Sequence, residues 1–309
     1  MFALKASIAL TVIEVGLRST SRDTTFLMRH RGLFVRSFLA MSVIMPLVAL
    51  WMALAFRLDP AVKVALVALA MSPVPPLLPK KSVKAGGEGS YTIGLLVAAS
   101  LLSIVVVPTT VYLLSRQFDP TMRISRETIA KIVGATVLVP LAIGIGIRRI
   151  APTAAARAAK PVATIAMLVL VACVIPALVT SWPAFRSLVG NGTLAAITAM
   201  TIVGLVVGHL LGGPVPDHRT VLAIATASRH PGVAIAIAGA TFPAEKLAAP
   251  AILLALVVGA LPSVPYIAWR RRVHDGSPAL WLSRSSAPPR GDHPHRRRGE
   301  RGTAGHLVQ

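Results

Sequence analysis

The sequence predicts an all-α membrane protein with nine transmembrane helices and an inverted repeat in which the third and eighth helices are broken. Of its 309 residues, 54% are hydrophobic and 14% are charged, whereas about a quarter of the residues of a soluble domain are charged. Nine apolar segments are long enough to cross about 30 Å of hydrocarbon. Two of these segments share the same order of small residues, proline and glutamate.

The nine predicted spans are separated by short breaks that carry Arg, Lys, Asp, Gly or Pro. The spans cover residues 2–18, 33–57, 61–79, 91–115, 128–150, 161–182, 193–211, 219–243 and 247–269. The first span contains Lys5 and Glu14 and no small-residue cleavage site follows it, so we interpret it as a retained span and not as a signal peptide. Residues 273–309 are rich in Ser, Pro, Gly, His and Arg, which predicts a disordered basic tail that contacts anionic lipid.

The basic residues predict the orientation of the chain. Cytoplasmic breaks retain Lys and Arg, and more of these residues fall inside when the tail is cytoplasmic, although the cluster from Arg116 to Lys131 opposes this arrangement. We therefore expect an external N-terminus and a cytoplasmic C-terminus in the plasma (inner) membrane. The net charge is +21, but the basic residues lie in the breaks between spans and in the tail and do not form an amphipathic surface. This distribution argues against a nucleic-acid partner.

The same composition disfavours an enzyme and a bound cofactor. Of eleven acidic residues only Glu14 lies inside a predicted span, so Asp-rich metal motifs in the membrane are missing. The single cysteine, Cys173, excludes a disulfide framework and a Cys-rich metal site. The sequence contains no HExxH, no GxSxG and no phosphate-binding Walker loop, which argues against hydrolysis and ATP-driven transport.

The internal repeat points to a secondary transporter. Repeat one covers about residues 1–115 and repeat two about 128–272. The third and eighth spans are five places apart in the span order, an odd number, so the copies cross the membrane in opposite directions. Inverted repeats with interrupted helices are typical of secondary transporters, with the site near the midplane. The matching residues are Ser72-Pro73, Glu88 and Pro108 in the first copy and His230-Pro231, Glu245 and Pro262 in the second.

Proline predicts where the helices break. Pro73, Pro75, Pro76 and Pro79 remove backbone donors within one short segment, so the third span cannot remain a continuous α-helix. Unwound backbone inside the hydrocarbon region of the bilayer must be packed in protein or line a water-filled cavity. The single Pro231 in the eighth span is equally compatible with a simple kink for packing.

These features resemble the bile acid:sodium symporter family. The resemblance covers residues 1–272 and rests on the span order, the Ser72-Pro73 break, the Ala85-Gly86-Gly87-Glu88 re-entry and Gly232-Val233-Ala234. It implies a panel domain and a core domain, with the third and eighth spans as crossing helices of the core. It also implies secondary transport by alternating access, and the family includes nine-span members with an external N-terminus.

The chain departs from that family at the positions of the sodium ligands. Members coupled to sodium carry an acidic residue and a Gln-Asn pair in the second crossing helix and a Ser-Asn pair in the first. The corresponding residues here are Ala225, Arg229-His230 and Leu78-Pro79, and Ser100 is the hydroxyl ligand that remains in the following span. Hard cations prefer a cage of oxygen ligands, so these departures argue against sodium coupling. In place of the missing ligands the chain carries three cationic residues near the two breaks: Arg229, Lys80 and Lys81.

We therefore predict a transporter of a small organic anion whose substrate site lies at the two breaks. The candidate binding residues are Ser72, Pro73, Lys80, Lys81, Ser100, Ser228, Arg229, His230 and Gly232. The guanidinium group of arginine suits oxyanions.

Four alternatives remain at this stage. Arg229 could instead form a structural pair with Glu14, Lys80 and Lys81 could be topology markers after a span that ends at Pro79, and His230 could relay protons or be a satisfied polar residue. The chain could also be a sensor or scaffold that keeps the carrier fold without transport.

Overall fold

The computed structural model describes residues 2–75, 77–118, 127, 131 and 134–276. The predicted tail from residue 277 onward, Pro76 and most of the break between residues 119 and 133 lie outside these described residues. Every regular element of the described part is helical. Met1–His274 forms one compact unit.

Several helix ends differ from the prediction, but the predicted spans do contain helices. In chain order they are α1 (Phe2–Arg18), α2 (Ser21–Thr24), α3 (Phe26–Arg29), α4 (Arg31–Ala55), α5 (Pro60–Met71), α6 (Leu78–Lys84), α7 (Gly89–Phe118), α8 (Val139–Ile150), α9 (Pro152–Thr180), α10 (Trp182–Leu188), α11 (Thr193–Leu211), α12 (Pro216–Ala227), α13 (Pro231–Thr241) and α14 (Ala248–Asp275). A π-helical turn, Leu39–Ile44, lies inside α4, and a second, Gly134–Leu138, precedes α8.

The described residues form an all-α membrane protein. Five helical segments are long and apolar enough to cross a bilayer: α4, α9, α11, α12 together with α13, and α14. The apolar helices Pro60–Met71 and Gly89–Ser103 are shorter. On α9, Leu168 and Val179 are about two-thirds exposed, as expected of side chains that face lipid and not a protein core.

Glycine lets the helices approach closely in two places. Helix α1 packs on α8 and α9, and a Cβ atom on Gly16 would lie 2.8 Å from the Cα of Gly144. Helix α11 packs on α12, and a Cβ atom on Gly208 would lie 2.5 Å from the Cα of Ala223. Small residues at such contacts let membrane helices pack backbone to backbone.

Two helices are interrupted. Helix α5 ends at Met71 and α6 begins at Leu78, and we call residues 72–77 the first break. Helix α12 ends at Ala227 and α13 begins at Pro231, and we call residues 228–230 the second break. The two breaks touch, because the main-chain N–H of His230 donates a hydrogen bond to the carbonyl of Pro73 at 3.0 Å.

Three predicted boundaries need correction. Helix α9 begins at Pro152, nine residues before the predicted span 161–182. The segment after the first break is a helix that continues through Lys80 and Lys81 to Lys84, so it does not end at Pro79. Proline suits the first turn of a helix, where its missing N–H would have no partner. Helix α14 continues through Asp275, past the predicted start of the tail at residue 273. Its last turns are held by buried Arg270, which donates to the Oγ1 of Thr220 at 2.7 Å.

Candidate functional site

A cavity of about 490 Å³ lies beside the second break. It is bounded by α1, α4 to α6, α9 and α11 to α14, and most of its lining is apolar. The charged residues that line it are Lys81 and Arg229, and no acidic residue of the described part lines it. A largely apolar cavity with a few polar groups is typical of a small-molecule site, and the excess of cations favours an anionic ligand.

Arg229 is anchored by main-chain oxygen atoms. Its Nη1 donates to the carbonyl of Ser72 at 3.2 Å, and its Nη2 donates to the carbonyl of Met41 at 2.9 Å. Its Nε is buried and has no hydrogen-bond partner among the residues that the structure describes. The predicted alternative of a pair with Glu14 is wrong, since within the described residues no carboxylate lies within ion-pair distance of Arg229.

The carbonyl of Met41 was not expected at the site, and Pro46 explains why it is free. In the π-helical turn of α4 the N–H of Met45 bonds to the carbonyl of Ala40, five residues earlier. At the same spacing the carbonyl of Met41 would need the N–H of residue 46, and proline has none. Turns of this type occur often at functional sites. Pro46 was therefore the sequence signal for this acceptor, although the π-helical spacing itself is not visible in the sequence.

His230 caps the helix that follows it. Its side chain is almost fully buried, with 2% of the residue exposed. Its Nδ1 accepts a hydrogen bond from the main-chain N–H of Val233 at 3.3 Å, so it satisfies one of the free N–H groups at the start of α13. Its Nε2 is buried and finds no partner in the described part of the chain, and the residue lines the cavity. His230 is therefore only half satisfied.

The two neighbouring lysines have different surroundings. Lys80 lies 3.7 Å from the carboxylate of Glu14, which is 3% exposed and also accepts a hydrogen bond from Arg18. Lys81 is exposed and lines the cavity. The structure thus brings Lys81 together with Arg229 at one cavity, whereas Lys80 is turned toward α1.

Ser72 and Pro73 border a second, much smaller cavity. It measures about 20 Å³ and is also lined by Arg229, Met41 and Ser103. A cavity of this size holds about one water molecule. The Oγ of Ser72 is already engaged, because it donates to the carbonyl of Leu69 at 2.8 Å, so Ser72 offers the site its carbonyl and not its hydroxyl group.

The remaining candidate binding residues differ in whether they line the large cavity. Ser228 and Gly232 line the large cavity. Ser100 is fully buried, and its Oγ donates to the carbonyl of Leu96 at 2.7 Å, so it lines neither of these two cavities. Within the described residues no group of three or more His, Cys, Asp or Glu side chains could hold a metal ion.

Comparison with known families assigns more than half of the chain to one family. The sequence model of the Sodium Bile acid symporter family matches residues 7–184, which is more than half of the chain. A search of curated proteins found no match. The matched segment includes the first break and ends before the second, so Arg229 and His230 lie outside it.

Proposed function

The chain belongs to the sodium bile acid symporter family, and from that premise we propose that it is a secondary transporter that carries a small organic anion by alternating access. The family consists of membrane transporters, not enzymes. The observation that supports an anionic cargo most strongly is Arg229, a guanidinium group in a mostly apolar cavity that no acidic residue of the described part lines. Lys81 adds a second positive charge to the same cavity.

The anion would bind where helix α13 begins. Pro231 and Gly232, the first two residues of that helix, line the cavity together with Arg229. The N-terminal end of a helix carries a partial positive charge, and broken half-helices in transporters often point this end at an anionic group of the substrate. The helix end and the guanidinium group then act on the same negative charge.

We further propose that Arg229 supplies the positive charge that sodium supplies elsewhere in the family. Its guanidinium group donates to the carbonyls of Ser72 and Met41, and carbonyl oxygen atoms are the ligands that a hard cation would need. Because a charge fixed to the protein moves with the protein, transport would continue without an external cation. Ala225 fits this proposal, since it provides no carboxylate at the family's acidic position.

The membrane arrangement that we propose has nine spans built as an inverted repeat. Helices α1, α8 and α9, which pack on one another, would form the panel, and the helices around the two breaks would form the core that moves against it. The N-terminus would lie outside and the C-terminus in the cytoplasm of the inner membrane, with the basic tail on anionic lipid.

Binding and transport can be tested on the purified protein. Thermal unfolding is measured in detergent with carboxylates that range from propanoate to cholate, and the anion that raises the melting temperature most is then used for uptake into proteoliposomes. We expect saturable uptake that persists when choline replaces sodium outside. A steep requirement for sodium would contradict the role of Arg229, and binding without uptake would favour a sensor or scaffold.

A further inference from the structure

Two arginine side chains meet at the short loop between α11 and α12. The Nε of Arg219 donates to the carbonyl of Gly213 at 2.6 Å. A Cβ atom on the same glycine would lie 2.6 Å from the Nη1 of Arg36, so the guanidinium group of Arg36 rests directly against the loop. Gly213 has a φ of +83°, which favours glycine, and its missing side chain leaves the room that Arg36 occupies.

The two guanidinium groups have no negative partner in the structure. Within the part of the chain that is described, no carboxylate lies within ion-pair distance of Arg36 or Arg219. Asp217, the acidic residue closest to Arg219 in the sequence, lies 3.8 Å from His274 instead. Like charges held at one place repel each other, so an anion that contacts both arginines would stabilise the pair.

The arginine pair borders a surface that faces lipid. Helix α11 packs on α4, and Leu39 lies three residues after Arg36, on the same side of α4. Leu39 and, on α11, Val206 and Leu210 are between 40% and 73% exposed. The ring of Trp269, which is half exposed, lies 5.5 Å from that of His209 in the last turns of α11, and tryptophan is enriched where a membrane meets water. The surface thus joins a cationic end to an apolar side.

We propose that Arg36 and Arg219 bind the phosphate group of an anionic phospholipid whose acyl chains lie along the exposed apolar side chains of α4 and α11. The planar donors of guanidinium suit phosphate oxygens, and basic pockets between membrane helices bind anionic headgroups. A zwitterionic lipid would bring its own cation to two guanidinium groups and bind less tightly. Neither arginine lines the large cavity, so this site is independent of the cargo.

Binding of single lipid molecules to the purified full chain tests the proposal. Native mass spectrometry in detergent follows the tightest binding event as phosphatidylglycerol or phosphatidylcholine with the same acyl chains is added. We expect phosphatidylglycerol to bind more tightly, and Arg36→Gln to weaken its binding about tenfold. The melting temperature should stay unchanged, because Arg36 is exposed. Equal affinity for the two lipids would overturn the proposal.

Arg31→Gln is the matched control. It removes the same charge from an exposed position of the same helix, but five residues earlier, which is about 140° around the helix from Arg36. The basic tail is intact in both variants. We expect Arg31→Gln to bind phosphatidylglycerol like the unchanged chain. An equal loss in the two variants would mean that net charge alone attracts the lipid, and would reject the site.

Arg219→Lys tests the second member of the pair. Lysine keeps the positive charge but lacks the planar fork of guanidinium and the Nε donor that holds Arg219 to the carbonyl of Gly213. We expect the affinity for phosphatidylglycerol to fall a few-fold. An unchanged affinity would show that Arg219 is not a ligand, and would overturn a site built from two arginines.

Glycerol phosphate distinguishes a lipid from a soluble phosphate compound. It carries a phosphate group on glycerol without acyl chains, so it cannot contact the apolar side chains of α4 and α11. We expect it to leave bound phosphatidylglycerol in place when the two are present at equal concentration. Displacement of the lipid under these conditions would show that a soluble phosphate compound is the ligand, and the docking of a lipid would be wrong.

Discussion

The two helix breaks differ in the hydrogen-bonding groups that they offer. The first break provides acceptors: the carbonyls of Ser72 and Pro73 both receive hydrogen bonds, and Pro73 and Pro75 have no N–H to give. The second break provides donors, namely the main-chain N–H of His230 and the guanidinium group of Arg229. Each break thus satisfies part of the other.

This complementarity explains how unwound backbone persists inside a membrane protein. Without water, backbone polar groups must find partners within the protein, and here the acceptors of one break meet the donors of the other. The donors are in excess, because within the described residues Arg229 Nε and His230 Nε2 have no hydrogen-bond partner. Both residues also line the cavity, so the donor-rich break is the one that borders the proposed site.

Removing the guanidinium group should have the largest effect. Arg229→Ala leaves the carbonyls of Ser72 and Met41 without their donor, and each buried unsatisfied group costs about 1–3 kcal/mol. We expect a clear fall in the melting temperature in detergent and more than a tenfold loss of anion affinity. Arg186→Ala is the control, since Arg186 is exposed on α10 and should change stability by no more than about 0.5 kcal/mol. Equal melting temperatures for both variants would contradict the anchoring of Arg229.

Displacing the helix that carries the second break should have the next largest effect. In Gly208→Ala the new Cβ would lie 2.5 Å from main-chain atoms of Leu222 and Ala223, so α11 and α12 must separate. Overpacking of this kind costs about 1–3 kcal/mol, and the donors should move away from the first break. Gly146→Ala is the matched control, because nothing lies within 4 Å of its Cβ position. A normal melting temperature for Gly208→Ala would show that this contact does not position α12.

The fold was largely predictable because its signals are local. Apolar segments of sufficient length predicted the helices, and the prolines from Pro73 onward predicted the first break. The second break was less certain, since the single Pro231 could also have produced a kink. The helix ends were predicted less accurately than the helices themselves. Helix α6 extends beyond Pro79 because proline is accepted in the first turn of a helix.

The site was only partly predictable because its contacts join distant parts of the chain. The sequence predicted Arg229 as an unusual cation in a span and as an anion anchor, with a pair to Glu14 as the alternative. The actual partners are two carbonyls from α4 and the first break, and carbonyls have no signature in side-chain chemistry. Lys80 and Lys81 are adjacent in sequence, yet Lys80 contacts Glu14 and Lys81 lines the cavity. This difference depends on the orientation of α6, which the sequence does not show.

A smaller change should perturb His230 without removing it. In Gly232→Ala the new Cβ would lie 2.9 Å from Cδ1 of Ile8 and 3.3 Å from Cε1 of His230, so the imidazole ring must shift. We expect affinity for the anion that raises the melting temperature most to fall a few-fold. The melting temperature itself should change little, because alanine favours the helix by about 0.5–1 kcal/mol. Gly239→Ala, in the same helix with no atom near its Cβ position, should keep the affinity unchanged. An unchanged affinity in Gly232→Ala would mean that the ring orientation does not matter for binding.

The smallest effect is expected for the coupling between Arg229 and Glu14. Because Glu14 contacts Arg18 and Lys80, whereas Arg229 contacts carbonyls of the first break and α4, the two residues share no partner, and distant independent substitutions add within about 0.3–0.5 kcal/mol. The double variant Glu14→Gln with Arg229→Gln should therefore lose as much stability as the two single variants together. The pair Glu14→Gln with Lys80→Gln provides the positive control, since side chains in contact couple by about 0.5 kcal/mol or more. If Glu14→Gln instead restored the stability and anion binding of Arg229→Gln, the guanidinium group would have a carboxylate partner after all, and its place as a fixed charge between the two breaks would be lost.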